Sequence, residues 1–384
     1  MNLSLEEGGI MNNIAECFEL TLTPNYVSDW TFNDAVRELI QNGTDQEVLD
    51  PRNKFDITYD NSKKSLKLTN SKSKLSVNTL LLGRSSKSNN DETVGQFGEG
   101  YKIAALVLNR IGKTFTIYNN EKNEVWESKF KNSEKWKEKI LAFYVSKNET
   151  SDNGLVIEIQ NVTWNEYSDL EEIWLGFYEY EKINTTYGEI LTDEYQENLI
   201  YVNGLRIGFN GDLKYGYNFK PKYIKLERDR KTCDGWEAKI TTSKMLTEAM
   251  INGDIEPEKI QKMIEEDSDD IYQIDMIGDK DKIKEMLIDA FDKQNEKPFS
   301  VPVHTQDEVA KVKALGGNPI VVPYRVSTLI KSETEKRIQE LINFPKSTAL
   351  TIRERFDLWF VSYQDKLPSN ARLEIRELIN KLEI

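Results

Sequence analysis

Histidine occurs once in the 384 residues, at His304, and cysteine twice, at Cys17 and Cys233. A single histidine excludes histidine-based triads and multi-histidine metal sites, and argues against histidine-driven acid–base chemistry. Two cysteines cannot build a disulfide framework or a thiolate zinc site, so a reducing cytoplasm is the expected compartment. No run approaches eighteen apolar residues and no secretory signal is visible, so no membrane span is expected. Ten prolines and twenty glycines leave no room for a long disordered tract. Internal repeats and low-complexity segments are likewise missing. Acid, in contrast, is in excess: 65 Asp and Glu oppose 51 Lys and Arg, for a net charge of −14. Such a surface repels duplex DNA unless a local basic patch overrides it. The opening stretch LEEGGIM can be encoded by purine-rich codons resembling a bacterial ribosome-binding sequence, which points to a start at Met11 in place of Met1.

The chain is too long for one ordinary core, so two or three domains are expected. Residues 17–22 read as a strand. A helix follows, opened by Ser28 or Thr31 as cap, with Ala35, Val36, Leu39 and Ile40 as its apolar stripe. Alternation across 54–71 and across 113–130 predicts two hairpins. Between them lie a polar loop and a helix, YKIAALVLNRIG, stopped at Gly112. Residues 141–146 and 154–162 read as further strands. Residues 1–165 therefore read as an α+β layer, a mostly antiparallel or mixed sheet with helices on one face. The segment 166–295 reads as a middle domain. It holds a helix over LEEIWLGFYEYEKI, a hairpin turning at Asn203-Gly204, and helices over 241–252, 257–267 and 281–291. Residues 296–384 read as a small strand–helix–strand unit and a helical tail. Phe356, Trp359, Phe360 and Tyr363 recur at helical spacing there, which predicts helix core.

The stretch VGQFGEGYKIAALVL carries Gly95, Gly98 and Gly100 ahead of a helix. The P-loop needs lysine where Tyr101 stands, and the dinucleotide fingerprint needs glycine where Ile103 stands, so neither applies. A glycine-rich lid running into a helix N-terminus can still hold phosphate, through successive backbone N–H groups and the helix dipole. A surface turn before an amphipathic helix is the alternative. Upstream, RELIQNGTD sets Glu38 and Asn42 four apart, on one helix face. A carboxamide oxygen at Asn42 suits Mg²⁺, a hard ion that takes few protein ligands. The carboxylate of Glu38 can orient or deprotonate an attacking water. Both could equally be polar residues of a solvated helix.

Together the two segments resemble the GHKL ATPases: gyrase B, the ninety-kilodalton heat-shock chaperones, sensor histidine kinases and MutL. The resemblance covers residues 15–165 and implies the Bergerat ATP-binding fold, with ATP and Mg²⁺ as cofactors. RELIQNGTD is similar to the family's Glu-x3-Asn helix, including Asp45. GRSSKSNNDETVGQFGEGYK is similar to its lid. That carry-over implies phosphate-side roles for Ser86, Lys87, Gly95, Gln96, Phe97, Gly98, Gly100, Tyr101 and Lys102. Glu99 falls in the same run, where a solvent-facing position competes with a ligand role. The adenine motif departs from the family: Asn70 falls on the aspartate position, with Thr69 beside it, and Lys72 and Lys74 replace glycines. Leu155 stands where the family has a threonine. Asn70 can still accept from an adenine amino group as a neutral acceptor.

Several relatives feed a basic residue to the γ-phosphate from a second domain. Lys222, Arg228 and Arg230 are the candidates here, with surface ion pairs as the alternative. The pattern around IYVNGL and RDR also resembles uncharacterised bacterial and phage ATP-binding proteins. A histidine kinase is argued against, because His304 follows the ATP-binding segment in place of preceding it. The expected function is an ATP-gated conformational switch. ATP is hydrolysed by Glu38-activated water, with lid closure, a homodimer and an unknown protein partner as expectations. The alternatives are a nucleotide-responsive scaffold without turnover and a DNA-transaction clamp, the latter disfavoured by charge.

Overall fold

In the computed structural model, the described residues are 15–80, 100–208, 211–226, 231–274, 277, 280–343, 352–363 and 366–381. Two compact units emerge. The first comprises the described residues within Met1–Lys182, Tyr187–Asn210 and Tyr215–Glu237; the second lies within Ile183–Thr186, Gly211–Lys214 and Ala238–Ile384.

Thr31 caps the first helix of the first unit, α1 (Phe32–Leu49), in a reciprocal box with Asp34. The Thr31 N–H donates to Asp34 Oδ2 at 2.8 Å, and the Asp34 N–H donates back to Thr31 Oγ1 at 3.4 Å. A second helix, α2 (Gly100–Arg110), is followed two residues on by Gly112, whose φ of 79° only glycine adopts without strain. The Arg110 guanidinium ties the chain before α1 to this helix, donating to the carbonyls of Pro24, Tyr26, Val27 and Trp30 at 2.9–3.1 Å.

Both helices pack on a seven-stranded sheet. Its strands are β1 (Glu16–Glu19), β2 (Phe55–Asp60), β3 (Ser65–Asn70), β4 (Thr114–Asn119), β5 (Glu124–Asn132), β6 (Lys139–Lys147) and β7 (Leu155–Gln160). The order is β1-β6-β5-β4-β7-β3-β2. Every neighbouring pair is antiparallel, so the mixed alternative of the sequence reading does not hold. Strand alternation puts Leu66, Leu68, Phe115, Ile117, Trp126, Phe143 and Ile159 into one buried cluster with Ala35, Val36, Leu39 and Ile40 of α1 and Ala104–Leu108 of α2. Each large side chain in such a core contributes about 1.5–3 kcal/mol by leaving water.

A short helix, α3 (Trp164–Ser168), follows β7. The helix expected over 170–183 does not form. Two single 3-10 turns, Asp169–Glu172 and Leu175–Phe177, flank an extended Trp174, which bridges to Leu205. The backbone bonds are taken by a hairpin instead: the Leu175 N–H donates to Gly204 O at 2.8 Å and the Arg206 N–H to Ile173 O at 2.9 Å. The indole of Trp174 meets Phe55 and Phe177 edge-on. Tertiary pairing and aromatic packing thus override local helical periodicity.

The chain then forms β8 (Lys182–Asn184), β9 (Gly188–Leu191), β10 (Ile200–Val202), β11 (Leu205–Ile207) and β12 (Gly216–Phe219). Within the first unit these give a second sheet in the order β11-β10-β12-β9, with β10 and β12 parallel. β10 and β11 join through Asn203 and Gly204, both at positive φ (50° and 77°), as a two-residue primed turn requires.

Helices dominate the second unit: most of α4 (Gly235–Asn252), then α5 (Pro257–Glu265) and α6 (Lys280–Gln294). The expected strand–helix–strand unit is present as β13 (Ser300–Val303), α7 (Gln306–Ala314) and a parallel β14 (Asn318–Val321). Four helices complete it: α8 (Tyr324–Leu329), α9 (Lys331–Asn343), α10 (Ile352–Tyr363) and α11 (Ser369–Lys381). On α10 the core expectation fails for three of four aromatics. Phe360 is buried, whereas Phe356, Trp359 and Tyr363 are 41–45% exposed and lie side by side with tilted rings. Among the described residues, no helix is long and apolar enough to cross a membrane.

Candidate functional site

Glu38 and Asn42 lie one turn apart on α1, both half-buried. They share a face directed at the first residue of α2. A Cβ placed on Gly100 would lie 2.5 Å from Glu38 Oε2 and 3.0 Å from Asn42 Nδ2. With the glycine in place both side-chain ends keep these positions; a methyl group there would displace the carboxylate. The glycine lets a carboxylate and a carboxamide rest against the helix start, where the dipole favours negative charge. The two motifs read separately in the sequence thus converge at one point.

Just inside α2, Tyr101 and Lys102 turn away from solvent. The Tyr101 hydroxyl shares a hydrogen with Thr79 Oγ1 at 2.9 Å, and burial pushes its phenol up to about 12. Lys102 is fully buried, and its ammonium donates to the Thr79 carbonyl at 2.9 Å. Burying an ammonium is costly without such partners. Thr79 therefore anchors the start of α2, a role that no spacing in the sequence announced.

Asn70 closes β3 on the inner face. Its Nδ2 donates to the Gly43 carbonyl of α1 at 3.0 Å, which leaves the oxygen half of the amide as an acceptor. Leu155 is its direct partner across the β3–β7 ladder. Thr69, next in line, points to the opposite face of the strand by alternation. Lys72 and Lys74 are exposed. Gly43 also lets the Phe55 ring lie flush on α1, because a Cβ there would overlap the ring.

Asp45 continues the Glu38–Asn42 face by one more turn, and its side chain is completely buried. It accepts a hydrogen bond from Asn203 Nδ2 at 3.4 Å. Lys222 is exposed, over the Tyr223 ring. Ser86, Lys87, Gly95, Gln96, Phe97, Gly98 and Glu99 lie outside the described residues, as do Arg228 and Arg230. Among the described residues no cluster of three or more His, Cys, Asp or Glu is arranged to hold a metal unaided.

Sequence reasoning missed Arg37, Gln41 and Asn203 as neighbours of this helix. Arg37 Nη1 donates to the Arg206 carbonyl at 2.6 Å. The Gln41 side chain is buried, and its Nε2 finds no acceptor among the described residues. The i, i+4 spacing of Arg37, Gln41 and Asp45 was a legible signal of a further polar row on α1, whereas no local spacing ties Asn203 to it.

A family model described as the Mycoplasma pneumoniae MPN635 N-terminal domain matches residues 165–251. A Mycoplasma pneumoniae protein described as uncharacterized is 27% identical over 217 residues, 54% of this chain and 87% of that protein. Solved structures similar to this chain include topoisomerase II ATPase regions. One is from Saccharomyces cerevisiae, bound to dexrazoxane: 14% identity, TM-score 0.29, 46% of this chain and 62% of that one. Another comprises the ATPase and transducer domains from Balamuthia mandrillaris: 13% identity, TM-score 0.24, 45% of this chain and 59% of that one. The chain thus spans about three fifths of the solved chains it matches.

Proposed function

We propose that this chain binds ATP with Mg²⁺ in a GHKL-type site of Bergerat fold and hydrolyses it, as an ATP-gated conformational switch. One observation carries the reading: Glu38 and Asn42 rest against Gly100, at the N-terminal end of α2. In this reading the first-turn N–H groups of α2 and the glycine-rich run Gly95–Gly100 hold phosphate oxygens. Glu38 takes a proton from the attacking water as the water oxygen bonds to the terminal phosphorus and the bond from that phosphorus to the bridging oxygen breaks, releasing ADP and phosphate. The oxygen half of Asn70 accepts from the adenine amino group, beside the apolar wall of Leu155. Ser86, Lys87, Arg228 and Arg230 are proposed to meet the terminal phosphates.

The residues present fit Mg²⁺ in one respect. Asn42 offers a neutral hard oxygen, and an ion of this kind completes its shell with water and substrate phosphate, so a larger protein cluster is not needed. When bound, the ion would neutralise charge on the phosphates. Closure around the nucleotide and pairing of two copies follow as parts of the same proposal.

The test is Glu38→Ala. It is expected to abolish phosphate release while ATP still binds in calorimetry to within about threefold of the parent, since only an interaction of the transition state is removed. Unchanged turnover sinks the assignment. Binding without phosphate release in the parent protein supports the scaffold reading instead, which the Asn70 and Leu155 replacements favour.

A further inference from the structure

The helix that carries Glu38 and Asn42 is held by a second segment as well. Three of its turns make polar contacts with the segment that follows the first sheet. Asp34 Oδ1 pairs with Lys231 Nζ at 2.6 Å, Arg37 donates to the Arg206 carbonyl at 2.6 Å, and Asp45 accepts from Asn203 at 3.4 Å. Two of the three partners belong to the β10–β11 hairpin. The middle of this stripe is Gln41, with its unsatisfied amide nitrogen.

The turn at the tip of that hairpin is itself rigidly placed. The Asn203 N–H donates to Phe219 O at 3.0 Å, and the Gly204 N–H donates to Asn218 Oδ1 at 2.8 Å. Gly204 O accepts from the Leu175 N–H. Asparagine is one of the few side chains that tolerates positive φ and also carries a donor. Asn203 therefore makes the turn and the contact at once. Its acceptor is a wholly buried carboxylate, which needs hydrogen-bond donors to remain there. Asp45 sits seven residues after Glu38 on the same face, so a shift of the turn is a shift of that face. Gly100 leaves less than a methyl group of slack against Glu38.

We propose that the Asn203-Gly204 turn is the positioning element of this site: through Asp45 it sets where Glu38 and Asn42 stand against the start of α2. The proposal rests on the functional reading above, and it takes Asp45 as a link to the turn in place of a cofactor ligand.

Three variants test it. Asn203→Gly keeps the positive φ and removes the amide. Asn203→Asp sets two carboxylates face to face. Asn203→Asp combined with Asp45→Asn restores a donor–acceptor pair of reversed polarity. The single variants are expected to lower kcat about tenfold while ATP affinity changes by less than about threefold, the signature of lost transition-state positioning. The double variant is expected to recover most of kcat, because neighbours in one contact are non-additive. Unchanged kcat per folded molecule in both single variants overturns the proposal. So does a double variant no better than Asn203→Asp, or one that has lost ATP affinity, as a cofactor-ligating Asp45 would require. If the parent binds no ATP, the functional reading fails, and amide hydrogen exchange then decides the link on its own. Faster exchange at residues 38–45 and 100–102 in Asn203→Gly supports it; unaltered exchange overturns it.

Discussion

At Gly100 the difference between a hydrogen and a methyl group decides whether Glu38 can lie where it does. The atom a Cβ would strike is the far end of a flexible side chain, so the fold can absorb the change while the carboxylate cannot stay. Gly100→Ala is therefore expected to leave the unfolding midpoint within a few degrees of the parent, about 1 kcal/mol at most. If Glu38 acts as proposed, the change should cost ATP turnover about tenfold or more, as displacement of a catalytic group does. Circular dichroism melting and phosphate release read the two effects separately. Gln41 predicts the reverse. Its buried Nε2 has no acceptor among the described residues, and such a group costs about 1–3 kcal/mol. Gln41→Leu is expected to raise stability by part of that amount, read from the urea midpoint. At this scale the sequence named Glu38, Asn42 and Asn70. It could not reveal that the Asn70 amide faces Gly43, or that Lys102 is buried, because both depend on partners far along the chain.

Element by element, local signals translated well where they were self-contained. The Thr31 cap, the Asn203-Gly204 turn, the stop at Gly112 and the strand alternation each follow from two to six neighbouring residues. The expected helix over 170–183 failed because its backbone groups found a better partner in the β10–β11 hairpin. The start of α1 carries a pH dependence. Burial alone would raise the Asp34 carboxyl, but hydrogen bonds from Lys231 and Thr31 together outweigh it and hold it below its ordinary value. A carboxyl lowered by folding stabilises the native state above its unfolded value, ~3.9, and that stability disappears as pH falls through the lower folded value. Lys231→Met should thus be less stable than the parent at neutral pH. The two should converge below about pH 4, in denaturation curves recorded across that range.

For the whole molecule, the acidic balance makes its own prediction. With a net charge of −14, duplex DNA is not expected to be retarded by the protein at about 150 mM salt, with or without ATP. A clear shift in a native gel would revive the clamp reading. Composition, the scarcity of histidine and cysteine, most of the strand-and-helix menu and the glycine and Glu-x3-Asn motifs were determined by the sequence alone, since each is a property of residue type or short-range spacing. Only the tertiary structure decided that the two motifs meet at Gly100, that the large sheet is antiparallel throughout, and that Asp45 reaches Asn203. The Glu38–Gly100 and Asp45–Asn203 contacts join segments some 60 to 160 residues apart, and the sheet order joins strands as distant as β1 and β6; contacts of that range are set by which surfaces pack, to which no local pattern is sensitive.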